Sequence, residues 1–246
     1  MELTGAAQVE VGDLGDRAAL RQAVAGVAAI YHICPNVDPL EREYARLLID
    51  EARAAGVGHF GYHSVLHPQT ESMIHHWNKL RVEEALFESG IPYTILQPCA
   101  YMQNLLAQKA SIVDDGVITV PYSVEAKFSF VDLGDVAEAA AVVMSEREHR
   151  WAIYELAGPE ALDHLQIATM VQTILGKPVR AQQISVGAWA SSARKNDLGK
   201  YRVDALTAMF EYYDRHGLRG NPESLAHLIG RQPRSFGDFL QGMLPA

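Results

Sequence analysis

Cysteine is scarce. The 246-residue chain has two, Cys34 and Cys99, far apart and each in apolar surroundings. That number and spacing exclude a disulfide framework, and both read as reduced packing residues of a cytoplasmic protein. No run of 18 apolar residues occurs, so no membrane-spanning helix is expected. The opening residues, MELTGAAQVEVGD, carry neither a basic stretch nor an apolar one, and no secretory leader is expected there. Basic residues are outnumbered, 21 Lys and Arg against 30 Asp and Glu, and form no run. A net charge of −9 makes nucleic acid and anionic membranes poor electrostatic partners. Internal repeats, low-complexity tracts and Gly/Ser/Pro linkers are missing too. What is present is an apolar fraction of 48%, enough for the core of one large or two small domains.

Through residue 160 the chain alternates strand and helix signals. Short strands are predicted at 9–12, 27–34, 57–64 and 93–97. Helices are predicted at 16–24, with Asp16 as N-cap, at 40–55 and at 71–88. In the last of these Leu80, Val82, Ala85 and Leu86 are expected to face inward, and Lys79, Arg81, Glu83 and Glu84 mostly outward. Strands separated by helices of 10–17 residues imply right-handed crossovers and a parallel sheet. After Pro98 the expected order is helix 101–110, strands 116–121 and 127–131, helix 133–144, strand 151–156 and helix 165–175. From about residue 186 the chain reads as mostly helical, with helices at 205–216, 222–229 and 236–243. The C-terminal helices are expected to pack on the α/β part. The organisation reads as a core at 1–160 and a mainly helical C-terminal lobe at 161–246.

Four segments together resemble the NmrA-like family of atypical short-chain dehydrogenase/reductases. They are VEVGDLGDRAALRQAVAGVAAIYHICP (9–35), AGVGHFGYHSVLHP (55–68), KLRVEEALFESGIPYTILQPCAYMQN (79–104) and FSFVDLGDVAEAAA (128–141), the last followed by YELAGPEALDHLQIA (154–168). The resemblance covers nearly the whole chain. It implies α/β architecture: a Rossmann-like doubly wound parallel sheet with a smaller helical lobe. Relatives open with a strand, a Gly-x-x-Gly-x-x-Gly turn, a helix and a second strand. That turn lets backbone N–H groups approach a pyrophosphate. The pattern is absent here, and Met1 falls just before the family's third strand, so the sheet reads as N-terminally truncated. The expected accommodation is that 9–12 slides to pair directly with 27–34. A homodimer covering the exposed sheet edge is also expected.

The resemblance implies an oxidoreductase using NADP or NAD on a small carbonyl, quinone or aromatic compound. Two alternatives stand beside it: a non-catalytic redox-sensing regulator acting through protein contacts, and a cofactor-free enzyme that kept only the crevice. Relatives with the Tyr-x-x-x-Lys motif use the lysine on the nicotinamide ribose and the tyrosine as proton donor. Here the aligned stretch is His75-His76-Trp77-Asn78-Lys79, with His75 in the tyrosine's place. A histidine can donate a proton near neutral pH. Ser64, Lys79 and His75 are therefore the candidate catalytic residues. Asp13 matches the position facing adenine, and by itself reads as a cap for the helix beginning near Asp16. Cys34, Pro35 and Asn36 end a strand where the cofactor ribose would pass. Pro98, Tyr101 and Asn104 follow the strand where nicotinamide and substrate would meet, and with Ser64 and Lys79 these complete the candidate cofactor set. Cys99 reads as buried and inert. His59, His63, His67, His75 and His76 cluster in sequence, but His63 and His67 are separated by a loop ending in Pro68. They read as a polar rim of the crevice and not as a metal site. Trp189, Tyr201, Phe210, Tyr212 and Tyr213 read as core first and as pocket walls second.

Overall fold

A computed structural model describes residues 8–245. Asp16 caps the first helix, α1 (Arg17–Ala23), by accepting from the amides of Ala18 and Ala19. Asp13 does not cap it. Its carboxylate accepts from Gly15 N at 2.7 Å and its carbonyl from Asp16 N, so Asp13 shapes the turn before the helix. The chain then runs β1 (Ile30–His32), α2 (Glu41–Ala54), β2 (Phe60–His63), α3 (Ile74–Ser89) and β3 (Tyr93–Pro98). A 3-10 turn over Met102–Gln108 leads into α4 (Lys109–Asp115), β4 (Val117–Val120), α5 (Leu133–Ser145) and β5 (Ala152–Leu156). After these come α6 (His164–Leu175), β6 (Arg180–Gln183), α7 (Val186–Lys195), α8 (Lys200–His216), α9 (Glu223–Ile229) and α10 (Phe236–Met243).

The main sheet has the order β1-β2-β3-β5 and is parallel throughout. Its two faces bury separate cores. On one, Phe60, Tyr62 and Ile95 pack with Leu48, Ile49, Val82 and Leu86 of α2 and α3. On the other, Leu96 and Leu156 join Val136 and Val143 of α5 and a large set from the C-terminal helices, including Ile167, Leu225, Phe236 and Leu240. Strand residues alternate between the two, as the period of 2 requires. Apolar cover on both sides of a parallel sheet is the doubly wound arrangement.

Three expectations need correction, and one strand was not foreseen. Residues 9–12 form no strand and do not pair with β1; Val9 and Val11 are exposed. A strand is a pairing property, and among the described residues the only ladder partner of β1 is β2. The 127–131 stretch is no ladder either. Phe128 bonds Leu162 in both directions, Ser129 N donates to Leu218 O, and Val131 N to Ala100 O. With Gly158 N donating to Ser129 O, four neighbours share it, a residue or two at a time. β6 is polar and without alternation, RAQQ, and was not expected; it pairs in parallel with β4 as a separate two-stranded sheet. Lastly, Lys79 and Glu83 do not face solvent. They point inward with His75 and Leu86 along one stripe of α3.

The segment 127–131 is packed too closely to tolerate change nearby. A Cβ built on Gly158 would lie 1.7 Å from the Phe130 carbonyl oxygen. Backbone must move to admit it, so Gly158→Ala should lower stability by about 3 kcal/mol or more. Urea unfolding followed by circular dichroism checks this, and an unchanged midpoint would refute it.

Candidate active site

A cavity of about 570 Å³ opens at the carboxyl ends of β1, β2 and β3. That volume suits a small ligand. Its polar end is lined by Cys34, Asn36, His63, Ser64, His75, Lys79, Pro98, Tyr101 and Asn104. Of the expected site residues only Pro35 and Asp13 are not on its wall. The other end is aromatic: Tyr122, Phe128, Phe130, His164, Phe210, Tyr213 and Phe236.

Lys79 is anchored from α3. Its Nζ donates to Glu41 Oε1 at 2.6 Å and to the His63 carbonyl at 3.3 Å. The same Glu41 oxygen accepts from Tyr62 OH at 2.9 Å. An ammonium has three donors, so one N–H of Lys79 remains for a ligand. Glu41 is the first residue of α2 and is only 1% exposed. It is buried because it has two donors to satisfy it.

Ser64 Oγ donates to Glu83 Oε1 at 2.5 Å, and Gln97 Nε2 reaches both Glu83 oxygens at 2.9 and 3.1 Å. Burial raises the Glu83 pKa, opposed by the hydrogen bonds from Ser64 and Gln97. Both Glu83 oxygens are held in hydrogen bonds. With its proton committed to Glu83, Ser64 offers only lone pairs to the cavity.

His75 and His76 pack edge to face, with ring centroids 4.6 Å apart. Among the described residues His75 Nδ1 has no partner, and burial, helped by the Lys79 charge, pushes the ring down to about 4. At neutral pH His75 is an uncharged imidazole.

Three groups come together that the sequence keeps far apart. Tyr31 OH lies 2.9 Å from His63 Nδ1, and His63 Nε2 lies 2.6 Å from Tyr101 OH. Tyr31 and His63 share one face of neighbouring parallel strands, and Tyr101 follows the next strand. Their position at strand carboxyl ends was the readable signal; the chain of contacts was not. The rest of the histidine cluster disperses. His76 lines the cavity, but His59 is buried against Thr94 Oγ1 at 2.8 Å and His67 faces an outer groove. Burial drives the Cys34 and Cys99 thiols up to about 12, so neither is a thiolate. Of the C-terminal aromatics, Phe210 and Tyr213 wall the cavity. Trp189 packs on Phe210, Tyr201 OH accepts from Asn78, and Tyr212 faces the outer groove.

A parallel sheet covered on both faces, with a lysine-bearing cavity at its carboxyl edge, belongs to the Rossmann-like class. Residues 4–238 match the model of the NmrA-like family, and the chain belongs to that family. It is 32% identical over 222 residues to quinone oxidoreductase 2 of Escherichia coli (strain K12), covering 90% of this chain and 77% of that one. It is 28% identical over 237 residues to the NAD(P)H azoreductase of Xenophilus azovorans, covering 94% and 81%. Among solved structures, the NADPH-dependent quinone oxidoreductase of Escherichia coli in complex with NADPH superposes with a TM-score of 0.85 at 29% identity, covering 95% and 82%. No helix among the described residues is long and apolar enough to cross a membrane.

Proposed function

We propose that this chain reduces small uncharged aromatic carbonyl compounds, quinones foremost, with hydride from NADPH or NADH. The observation that carries this is the two-ended cavity: a lysine with a spare donor at one end and a box of aromatic rings at the other. Quinone and azo reductases among its relatives support the same reading. The polar end fits the nicotinamide half of the cofactor. Lys79 Nζ has one N–H free for the ribose hydroxyls, and Ser64 presents an acceptor to ribose or carboxamide. Cys34, Asn36, Pro98 and Asn104 form the remaining wall. When bound, the dihydronicotinamide supplies hydride.

The protein's own residues do the rest. Tyr122 and Phe210, both only partly buried, give a flat substrate apolar faces to stack against. Burial keeps His63, His75 and His164 uncharged, each at about 4, so among the described residues the cavity lining holds one cation, Lys79, already paired with Glu41. Such a lining favours a neutral ring carrying hydrogen-bonding oxygens over an anion. His75 stands ready to hydrogen-bond one of those oxygens.

The test is oxidation of NADPH and of NADH, followed by absorbance, with benzoquinone and naphthoquinone as acceptors. Turnover is expected with at least one pair. Lys79→Met should raise the cofactor KM tenfold or more, consistent with losing a charge-assisted hydrogen bond of about 1.5–3 kcal/mol. Absence of oxidation with every acceptor, together with no cofactor binding by calorimetry, would overturn the reading.

A further inference from the structure

Reducing a carbonyl oxygen needs a proton as well as a hydride, and the proton must reach a substrate seated among the cavity's side chains. We propose that Tyr31, His63 and Tyr101 form a proton relay, with Tyr101 delivering the proton to the substrate oxygen and Tyr31 drawing it from solvent. This rests on the reductase reading above.

Three observations carry it. The first is the unbroken chain of contacts, 2.9 Å from Tyr31 OH to His63 Nδ1 and 2.6 Å from His63 Nε2 to Tyr101 OH. His63 and Tyr101 line the cavity, whereas Tyr31 does not; it lies half-buried on the edge strand β1. The chain therefore runs from the cavity to a half-buried tyrosine on the edge strand β1. The second is how Tyr31 is placed. A Cβ on Gly61 would come within 2.6 Å of the Tyr31 ring and 2.5 Å of Met144 Sδ. Glycine at that point of β2 lets the tyrosine lie across the strand and reach His63. The third is the failure of the alternative. His75 touches the cavity, but among the described residues its buried Nδ1 has no partner from which to draw a proton.

The chemistry follows from the charge state. A neutral imidazole has one N–H, so it accepts at one nitrogen and donates at the other. With Tyr31 donating to Nδ1, Nε2–H donates to Tyr101 oxygen, and the Tyr101 proton is free to point into the cavity. Burial lifts the Tyr101 phenol to about 12, so it holds that proton at neutral pH. As hydride from the nicotinamide forms the new bond on the substrate, Tyr101 O–H breaks and an O–H forms on the substrate oxygen. The Nε2 proton passes to Tyr101, the Tyr31 proton to Nδ1, and water restores Tyr31. One hydride and one solvent proton are consumed, and no side chain is left charged. The histidine emerges as its other tautomer, and rotation of the ring and the two hydroxyls resets the chain.

The test compares wild type with Tyr31→Phe and Tyr101→Phe in single-turnover reduction of a quinone by NADPH, in H2O and in D2O mixtures. Both changes keep the ring and so the packing. Tyr101→Phe is expected to slow reduction about 100-fold, the usual weight of a positioned general acid. Tyr31→Phe, with no cavity contact, should slow it about tenfold at unchanged quinone and NADPH KM. The dependence on deuterium fraction should be bowed in wild type, with several protons moving together, and straight in Tyr31→Phe. A merely structural tyrosine would not alter that curve. Active wild type with unchanged rate and curve in Tyr31→Phe overturns the relay and leaves the reductase reading standing. Wild type that binds no cofactor and reduces no quinone overturns both.

Discussion

Between pH 7 and pH 4.5 this protein is expected to lose most of its resistance to urea. Burial holds His32, His63, His75 and His164 each at about 4, and it also lowers His59 and His76. In the unfolded chain these rings titrate near 6.5. Between the two values the unfolded state binds more protons than the folded one, so stability falls as pH falls. Their contribution is fully present above about pH 6.5 and is lost on the way down to about pH 4. A tenfold change in proton affinity corresponds to about 1.4 kcal/mol. Four such rings together contribute on the order of 5 kcal/mol or more, comparable with the total stability of a domain. Glu83, whose pKa is raised, works the other way and offsets part of this at the acid end. Unfolding in urea at pH 7, 6, 5 and 4.5 gives the slope directly. His164→Gln should flatten it, since His164 sits among Tyr122, Phe128 and Phe130 with no partner on Nδ1 among the described residues. A midpoint that does not move between pH 7 and 4.5 would mean that water or a counter-charge reaches these rings.

Those histidines show what the sequence reveals and what it conceals. Local signals were readable. Asp16 caps α1, Gly90 ends α3, and the apolar periodicity of α2 marks its buried face. The cavity wall was readable as well, because ligands bind at strand carboxyl ends and the residues there can be named once the strands are placed. Two kinds of information were hidden. Pairing was one: 9–12 has the composition of a strand and no ladder to join among the described residues, while RAQQ lacks that composition and pairs with β4. The fate of charge was the other. Lys79 and Glu83 carry the pattern of a solvated helix face, since unpaired charges are costly to bury. Their partners, Glu41 for one and Ser64 and Gln97 for the other, come from distant segments, and only the fold brings them together. The Tyr31–His63–Tyr101 chain is hidden for the same reason.

Lys79→Met alone is expected to destabilise the protein by about 3–5 kcal/mol, the cost of leaving a buried carboxylate without its cation. Glu41 is 1% exposed and the Lys79 side chain 15%, so water cannot replace the lost ammonium at the Glu41 oxygen. Only Tyr62 OH would still donate to that oxygen. Removing both charges, Lys79→Met with Glu41→Leu, should recover most of the loss, because an apolar pair of similar volume costs no desolvation. A residue of about 1–3 kcal/mol should remain, from the Tyr62 hydroxyl deprived of its acceptor. Adding Tyr62→Phe should remove that residue. Turnover behaves differently if Lys79 serves the cofactor. The double variant would fold within about 1–3 kcal/mol of wild type and still bind NADPH poorly, whereas Glu41→Gln would keep an acceptor for Lys79 and retain part of the binding. Urea midpoints and NADPH titrations on wild type and these variants separate the two roles. A stable double variant with wild-type NADPH affinity would reduce Lys79 to a structural partner of Glu41. A stable double variant that has lost affinity would show that Lys79 serves the ligand, and the share of binding that Glu41→Gln retains would measure how far Glu41 holds the ammonium at the cavity wall.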